Sequence, residues 1–164
     1  MKQMRYFIFT ILFLFSLHSF AEELIAKVIK VSDGDTITVL DNNKQKHKIR
    51  LKGIDAPESQ QMYGDISTQS LAELVYDKEV LVTWDKKDKY YRILGKVIVD
   101  GKDANYLQLK KGLAWYYKQY EKDLSDEDKH RYSEAEEWAR NYNEGLWADS
   151  NSIPPWEFRR KGKN

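Results

Sequence analysis

Cysteine is absent from the 164-residue chain. This absence excludes disulfide bonds, thiolate zinc sites, a cysteine nucleophile and a lipid-modified amino-terminal cysteine. Histidine is also scarce: the three histidines are His18, His47 and His130, and they lie far apart in the sequence. We expect each to be an isolated side chain, so the sequence argues against a histidine-based active site or a zinc centre.

An excess of charge of one sign is missing as well. The chain has 27 Lys and Arg residues against 26 Asp and Glu residues. The first 21 residues contain two basic and no acidic side chains, so their removal would leave a domain with a slightly negative formal charge. A nucleic-acid partner would therefore have to be held by a local basic patch, because net charge does not supply the attraction.

The long apolar run of this chain lies at the amino terminus. Met1–Ala21 begins with basic residues, continues through the almost wholly apolar segment Tyr6–Leu17, and ends with Ser19 and Ala21 at plausible −3 and −1 cleavage positions. This pattern predicts a cleavable signal peptide, and therefore a periplasmic or secreted protein. An uncleaved amino-terminal anchor is the alternative, although the apolar run is short for a membrane span.

The rest of the chain is long enough for one domain with its own core. It contains no internal repeat and no low-complexity segment. We expect a folded domain over residues 22–148 and a tail over residues 149–164, which is rich in proline, tryptophan and basic residues. No feature indicates an obligate protein partner, so we expect a monomer.

Hydrophobic periodicity predicts five strands and three helices. Ser125 and Asp128 resemble a capping box at the start of the last helix. The strands are Leu24–Lys30, Thr36–Leu40, Lys46–Ile54, Glu79–Trp84 and Arg92–Val99, and the helices are Gly64–Asp77, Ala104–Lys111 and Ser125–Asn143. Five strands of this length can close into a small barrel, and a helix between the third and fourth strands is the order of an OB-fold.

Two acidic segments stand next to predicted strand ends. Asp33-Gly34-Asp35 lies between the first two strands, where Gly34 is able to take a positive φ. Asp55 follows the third strand. Taken alone, the first segment is more simply an ordinary β-turn, and the second could equally be a solvated strand end. Because the end of the third strand of a meander can approach the start of the second, we expect Asp35 and Asp55 to lie side by side. Two adjacent carboxylates and no cysteine or histidine ligand favour a hard cation, Ca²⁺ or Mg²⁺.

Charged residues of both signs accompany that acidic pair. Arg50 is able to hold an anion, Glu58 lies just past Pro57 where a base could face a substrate, and Arg92 ends a polar loop. An acid, a base and an anion clamp at one strand end suggest chemistry on a phosphate. We expect Arg50, Glu58 and Arg92 to surround one phosphate in a solvated cleft and to contribute little to the fold. The alternative is a structural salt-bridge network.

Three motifs occur in a fixed order along the chain: Asp33–Thr36, Arg50–Glu58 and Asp88–Arg92. Together they resemble the motifs of the thermonuclease family, whose type member is staphylococcal nuclease. The resemblance covers roughly Leu24–Trp147, nearly all of the expected domain. The tail Pro154–Arg160 is also similar to that of exported bacterial members of the family.

The resemblance implies a fold, a cofactor and residue roles. It implies an OB-fold barrel with three α-helices, which agrees with the order of the elements. It implies a Ca²⁺ site formed by Asp35, Asp55 and the backbone carbonyl of Ala56. The family's catalytic residues correspond to Arg50 and Arg92 as phosphate-binding arginines and to Glu58, which orients or deprotonates the attacking water.

The same resemblance implies the substrate. DNA and RNA would be cut with little sequence preference, with single-stranded or frayed regions favoured, and the products would carry 3′-phosphates. Lys89, Tyr90 and Tyr120 are the expected substrate contacts. This chain differs from the type member in having Ala56 in place of a threonine and Tyr91 in place of a glycine.

Two other functions fit parts of this pattern. A non-catalytic OB-fold of the cell envelope would bind nucleic acid without cutting it. An envelope adaptor would use Trp156 and the basic tail to dock on a partner or on anionic lipid. All five charged residues are present, and this completeness favours the enzyme; they are Asp35, Arg50, Asp55, Glu58 and Arg92.

Overall fold

The computed structural model describes residues 22–162, so the predicted signal peptide lies outside the described residues. Short 3₁₀ helices span Lys118–Asp123 and Gly145–Ala148. The strands are β1 (Glu22–Asp33), β2 (Thr36–Asp41), β3 (Lys46–Leu51), β4 (Ile54–Asp55), β5 (Glu79–Lys87), β6 (Ile93–Val99), β7 (Lys102–Asp103) and β8 (Trp115–Tyr116), and the helices are α1 (Gly64–Val75), α2 (Ala104–Lys110), α3 (Asp126–Asn141) and α4 (Pro155–Lys161).

Five of the strands close into a barrel. β1 pairs antiparallel with both β2 and β5, β2 pairs with β3, and β5 pairs with β6. Parallel pairing of β3 with β6, with Ile49 opposite Ile93, completes the ring. Alternate apolar side chains such as Val28, Ile37 and Val82 are fully buried and fill its interior. The five-stranded OB-fold barrel expected from the sequence is therefore confirmed.

The three expected helices are present around the barrel. α1 connects β4 to β5, and α2 packs against α3. The predicted cap of α3 is confirmed, because the backbone N–H of Asp128 donates to Ser125 Oγ at 3.1 Å. Among residues 22–162, no helix is both long enough and apolar enough to span a bilayer.

The third strand ends earlier than the sequence predicts. β3 stops at Leu51, and the chain turns at Gly53, which has a φ of 80°. A side chain at Gly53 would also meet Leu124 Cδ1 at 2.8 Å, so only glycine fits this turn. After the turn, β4 leaves the barrel and pairs with β8 in a separate two-stranded sheet. This turn places Asp55 beside the end of β3 and not in line with it.

A fourth helix, α4, forms within the tail. Pro155 is buried in the first turn of α4. Proline suits this position because the first N–H groups of a helix have no partner within the helix, so the missing N–H of proline costs no hydrogen bond. Trp156 stacks on Tyr117, with ring centroids 5.0 Å apart, and meets Trp115 edge-on at 5.8 Å. The tryptophan that the sequence offered for docking on a partner or a lipid surface thus packs against its own chain.

Candidate active site

Asp35 lies where β2 begins and β3 ends. Thr36 of β2 pairs with Arg50 of β3, and the backbone N–H of Leu51 donates to the carbonyl of Asp35 at 2.8 Å. Gly34, although able to take a positive φ, does not do so. Glycine is needed there for a close approach instead, because a Cβ atom would lie 1.8 Å from Ser67 Oγ of α1.

Arg50 joins the two carboxylates. Its Nη2 lies 3.0 Å from Asp35 Oδ2 and donates to Asp55 Oδ1 at 2.8 Å. Its Nη1 donates to the carbonyls of Leu51 and Ile54, each at 2.8 Å. The guanidinium is therefore fixed by three hydrogen bonds and an ion pair, and Asp35 and Asp55 lie side by side as the sequence predicts. We call Asp35, Arg50 and Asp55 the acid–arginine cluster.

The cluster is largely buried. Only 7% of the Asp35 side chain, 2% of Asp55 and 13% of Arg50 are exposed to solvent. Burial raises the pKa of Asp35 to about 7; the Arg50 guanidinium opposes this rise, and the nearby charge of Asp55 adds to it. The solvated cleft expected for Arg50 is thus wrong, because its side chain lies inside the protein.

Glu58 stands at the outer side of the cluster. Its side chain is 41% exposed, and its carboxylate Oε1 accepts a hydrogen bond from Arg159 Nη1 at 2.7 Å. Arg159 belongs to α4, and its Nη2 also donates to Asp55 Oδ2 at 2.8 Å. Sequence reasoning missed Arg159, because 104 positions separate it from Asp55 and no spacing rule connects them. Its only signal was the basic end of the tail.

Arg92 is held elsewhere. Its Nε and Nη2 both lie 2.7 Å from Asp88 Oδ2, and its guanidinium carbon is 5.6 Å from the centre of the Tyr90 ring. Among residues 22–162 it makes no ion pair or hydrogen bond with the acid–arginine cluster or with Glu58. The structure therefore brings together four of the five predicted charged residues and leaves Arg92 in its own loop.

The expected substrate contacts fall in two places. Lys89 and Tyr90 share the loop of Arg92, where Lys89 Nζ lies 5.1 Å from the centre of the Tyr90 ring. Tyr120 lies later in the chain, in the 3₁₀ helix Lys118–Asp123, and its ring centroid is 4.8 Å from that of Tyr117. Tyr117, which sequence reasoning did not single out, links Tyr120 to the α4 residue Trp156.

The donor atoms of the cluster suit a hard cation. Asp35 and Asp55 supply four carboxylate oxygens, and the backbone N–H of Ala56 donates to Asp35 Oδ2 at 2.7 Å, which fixes Ala56 next to them. Within residues 22–162, no group of three or more Asp, Glu, His or Cys side chains is arranged to hold a metal. A cation here would thus need backbone carbonyl or water ligands in addition to the two carboxylates.

Two buried carboxylates, a fixed guanidinium and an accessible glutamate at the edge of an OB-fold barrel are suited to a protein that acts on phosphate esters. The sequence profile described as "Staphylococcal nuclease homologue" matches residues 48–149. This range includes Arg50, Asp55, Glu58 and Arg92, and ends before α4.

Named relatives agree with this match. An "Uncharacterized endonuclease" of Escherichia coli is 40% identical over 164 residues, which cover 96% of this chain and 99% of the relative. An "Uncharacterized endonuclease" of Haemophilus influenzae is 41% identical, covering 87% of this chain and 76% of the relative. A "Micrococcal nuclease" of Shigella flexneri is 39% identical, covering 84% and 82%.

The chain belongs to the family of staphylococcal nuclease homologues. It is therefore a nuclease, an enzyme that hydrolyses phosphodiester bonds.

Proposed function

We propose that this protein is a Ca²⁺-dependent endonuclease that cuts DNA and RNA with little sequence preference and leaves 3′-phosphate ends. The observation that carries the proposal is the position of Arg50, whose guanidinium lies between Asp35 and Asp55 with Glu58 at the open side. This arrangement combines two carboxylates that could bind a cation, the fixed positive charge of Arg50, and Glu58, which is exposed to solvent.

Asp35, Asp55 and the carbonyl of Ala56 are the proposed ligands. Their oxygen-only donor set and the burial of two adjacent acids support Ca²⁺ as the cation, and additional positions would be filled by water. When bound, Ca²⁺ supplies positive charge that favours the developing charge on the phosphate. Asp55 Oδ2 also accepts a hydrogen bond from Arg159 Nη2, and its second lone pair would remain for a cation.

Arg50 has few N–H groups left to bind a phosphate, because most of its guanidinium already contacts other groups of the protein. Three hydrogen bonds, to two backbone carbonyls and to Asp55, and an ion pair with Asp35 already hold the guanidinium of Arg50. Its Nε–H has no hydrogen bond within residues 22–162 and could donate to a phosphate oxygen. Its first role is to hold Asp35 and Asp55 in place. Its second role is to present a desolvated positive charge to the phosphate, where charge is worth more than in water.

Glu58 is the group proposed to act on water. Its exposure of 41% lets water reach the carboxylate, and its place three residues after Asp55 keeps it beside the cation ligands. It would orient the attacking water and accept its proton. Arg92, Lys89 and Tyr90 would bind the substrate strand from their loop, and Tyr120 would stack on a base.

Export is proposed as well. The pattern of the first 21 residues supports this proposal, and the strands of the barrel all lie within residues 22–162, so cleavage after Ala21 would keep them. The mature protein would be a periplasmic or secreted monomer that needs no obligate protein partner. Amino-terminal sequencing of the protein from the cell envelope or the medium tests this, with a first residue of Glu22 as the expected result.

Digestion by residues 22–164 tests the activity. Single- and double-stranded DNA and RNA would be incubated with Ca²⁺, with Mg²⁺ and with chelator, and the ends analysed by mass spectrometry. We expect cleavage of all four with Ca²⁺, fastest for single strands, and 3′-phosphate products. Mg²⁺ should serve poorly, since it demands tighter octahedral geometry. A defined recognition sequence or 5′-phosphate products would contradict the proposal.

A further inference from the structure

The tail helix α4 delivers a charged side chain to the candidate active site. Arg159 Nη1 donates to Glu58 Oε1 at 2.7 Å and lies 3.3 Å from Asp55 Oδ1, while Nη2 donates to Asp55 Oδ2 at 2.8 Å. One planar guanidinium thus spans the two acids on either side of Pro57. This geometry is the fork that arginine makes and lysine does not.

Glu58 depends on this contact. Arg159 is the only side chain in residues 22–162 that hydrogen bonds to the Glu58 carboxylate. Without it, an exposed glutamate would have several rotamers available, and most of them would point away from Asp55. Arg159 therefore selects one position for the group that is proposed to act on water.

The helix that carries Arg159 is firmly attached. Trp156 stacks on Tyr117 with an angle of 4° between the rings, Pro155 is buried, and Gln61 Nε2 donates to the carbonyl of Ile153 at 3.0 Å. These contacts hold the start of α4 and the segment just before it against the rest of the domain. The arginine is thus presented from an anchored element and not from a free tail.

The Arg159 guanidinium keeps its charge in this setting. Partial burial acts against the charge, but the hydrogen bonds to Asp55 and Glu58 outweigh it and hold the pKa of Arg159 above its ordinary value. The side chain of the neighbouring Arg160 is exposed and makes no ion pair or hydrogen bond within residues 22–162. Arg160 therefore offers a matched control on the same helix.

We propose that Arg159 is a positioning residue of this active site, which holds the Glu58 carboxylate beside Asp55, so that α4 is a working part of the enzyme. The proposal rests on the proposed function, because it assigns the water-directed role to Glu58. Two other roles make different predictions. A substrate clamp would mainly affect KM, and an inhibitory latch on Asp55 would compete with the cation.

Steady-state kinetics at saturating Ca²⁺ separates these roles, because competition for Asp55 disappears there. With a single-stranded DNA oligonucleotide, Arg159→Gln should lower kcat about tenfold or more and change KM less than about threefold. Arg159→Lys should recover part of kcat, and Arg160→Gln should match the wild type. A loss confined to KM, or an unchanged kcat with a lower Ca²⁺ requirement, would overturn the proposal.

A kinetic double-mutant cycle tests whether Arg159 acts through Glu58. If it does, adding Arg159→Gln to Glu58→Gln should change kcat by less than about twofold, since the group being positioned is already gone. Independent effects that multiply would show that Arg159 acts on the substrate or on the fold, and would overturn the positioning role.

A thermal cycle on the same four proteins needs no activity. The Tm shift of the double variant should differ from the sum of the single shifts by about 1 °C or more, as for a formed ion pair. If the wild type does not cleave nucleic acid, the proposed function fails, and this cycle still decides whether Arg159 holds Glu58. Additive Tm shifts would refute that contact whatever the activity.

Discussion

The acid–arginine cluster and the loop Asp88–Arg92 each contain an arginine paired with aspartate, but they are built differently. Arg50 is 13% exposed and joins residues from the turn between β1 and β2, from β3 and from β4. Arg92 is 25% exposed and pairs with Asp88 of its own loop, where Tyr91 is 86% exposed. The cluster is thus fixed by the barrel, whereas the loop is fixed only by itself.

The sequence predicts the same role, phosphate binding, for Arg50 and Arg92, whereas their different settings suit two different tasks. The barrel fixes the groups that need exact geometry, namely the carboxylate pair and the charge between them. The loop carries the positive charge of Lys89 and the exposed ring of Tyr90, which suit contact with a flexible nucleic-acid strand of variable sequence. We therefore expect changes in the cluster to affect both folding and rate, and changes in the loop to affect binding.

The largest expected effect is that of Arg50→Gln. Removing the guanidinium leaves Asp35 and Asp55 buried without their main cation, which should cost about 3–5 kcal/mol of unfolding free energy. The cleavage rate should fall at least about a hundredfold, as for a lost transition-state donor. Urea unfolding and initial rates measure the two effects.

The matched variant Arg92→Gln should lower the unfolding free energy by less than about 1 kcal/mol, because its ion pair is local. Equal losses of unfolding free energy for both arginines would contradict the comparison.

Glu58→Gln should come next. The side chain is 41% exposed and takes no part in the core, so the Tm should change by less than about 2 °C. The rate should fall about a hundredfold to a thousandfold through loss of the base. Single-turnover cleavage and a thermal melt report both values. A rate near that of the wild type would place the water-directed group elsewhere.

The barrel and the cluster were within reach of sequence reasoning, because they depend on local patterns and on short connections. Alternating apolar residues define the strands, and the meander brings Asp35 to the end of β3 beside Asp55. The contribution of α4 was out of reach. No local pattern relates Arg159 to Glu58. The burial of Arg50 was also missed, because the turn at Gly53 brings the carbonyl of Ile54 back to its guanidinium, whereas the alternating pattern predicted a strand that continued through this turn.

A moderate effect is expected from Lys89→Gln in the loop. Binding of single-stranded DNA to the Glu58→Gln protein should weaken with rising salt, because phosphate contacts release counterions. Losing Lys89 should reduce the slope of log K against log salt by about one unit. Fluorescence anisotropy at several salt concentrations measures the slope. Lys102→Gln is the control, because Lys102 is exposed and lies opposite Val99, at the end of β6 far from this loop. An unchanged slope would remove Lys89 from the substrate contacts.

The smallest effect concerns stability and pH in the absence of Ca²⁺. Burial raises the pKa of Asp35 from its ordinary 3.8 to about 7. Between these values the unfolded state loses the proton first, so this group lowers the stability of the fold as pH rises towards 7. Asp35→Asn removes that penalty, and its Tm relative to the wild type should be higher at pH 8 than at pH 4. A pH-independent difference would contradict the buried setting of Asp35.

The central claim is that the acid–arginine cluster is the Ca²⁺-dependent centre of a nuclease, and a paired Ca²⁺ titration tests it most directly. Calorimetric binding and the cleavage rate of residues 22–164 would be followed over the same Ca²⁺ range, for the wild type and for Asp55→Asn. We predict that binding and rate rise together in the wild type and that both shift to at least about tenfold higher Ca²⁺ in Asp55→Asn, since one ligand charge is lost. Full cleavage by the wild type in chelator, or the same Ca²⁺ midpoint in both proteins, would contradict the account.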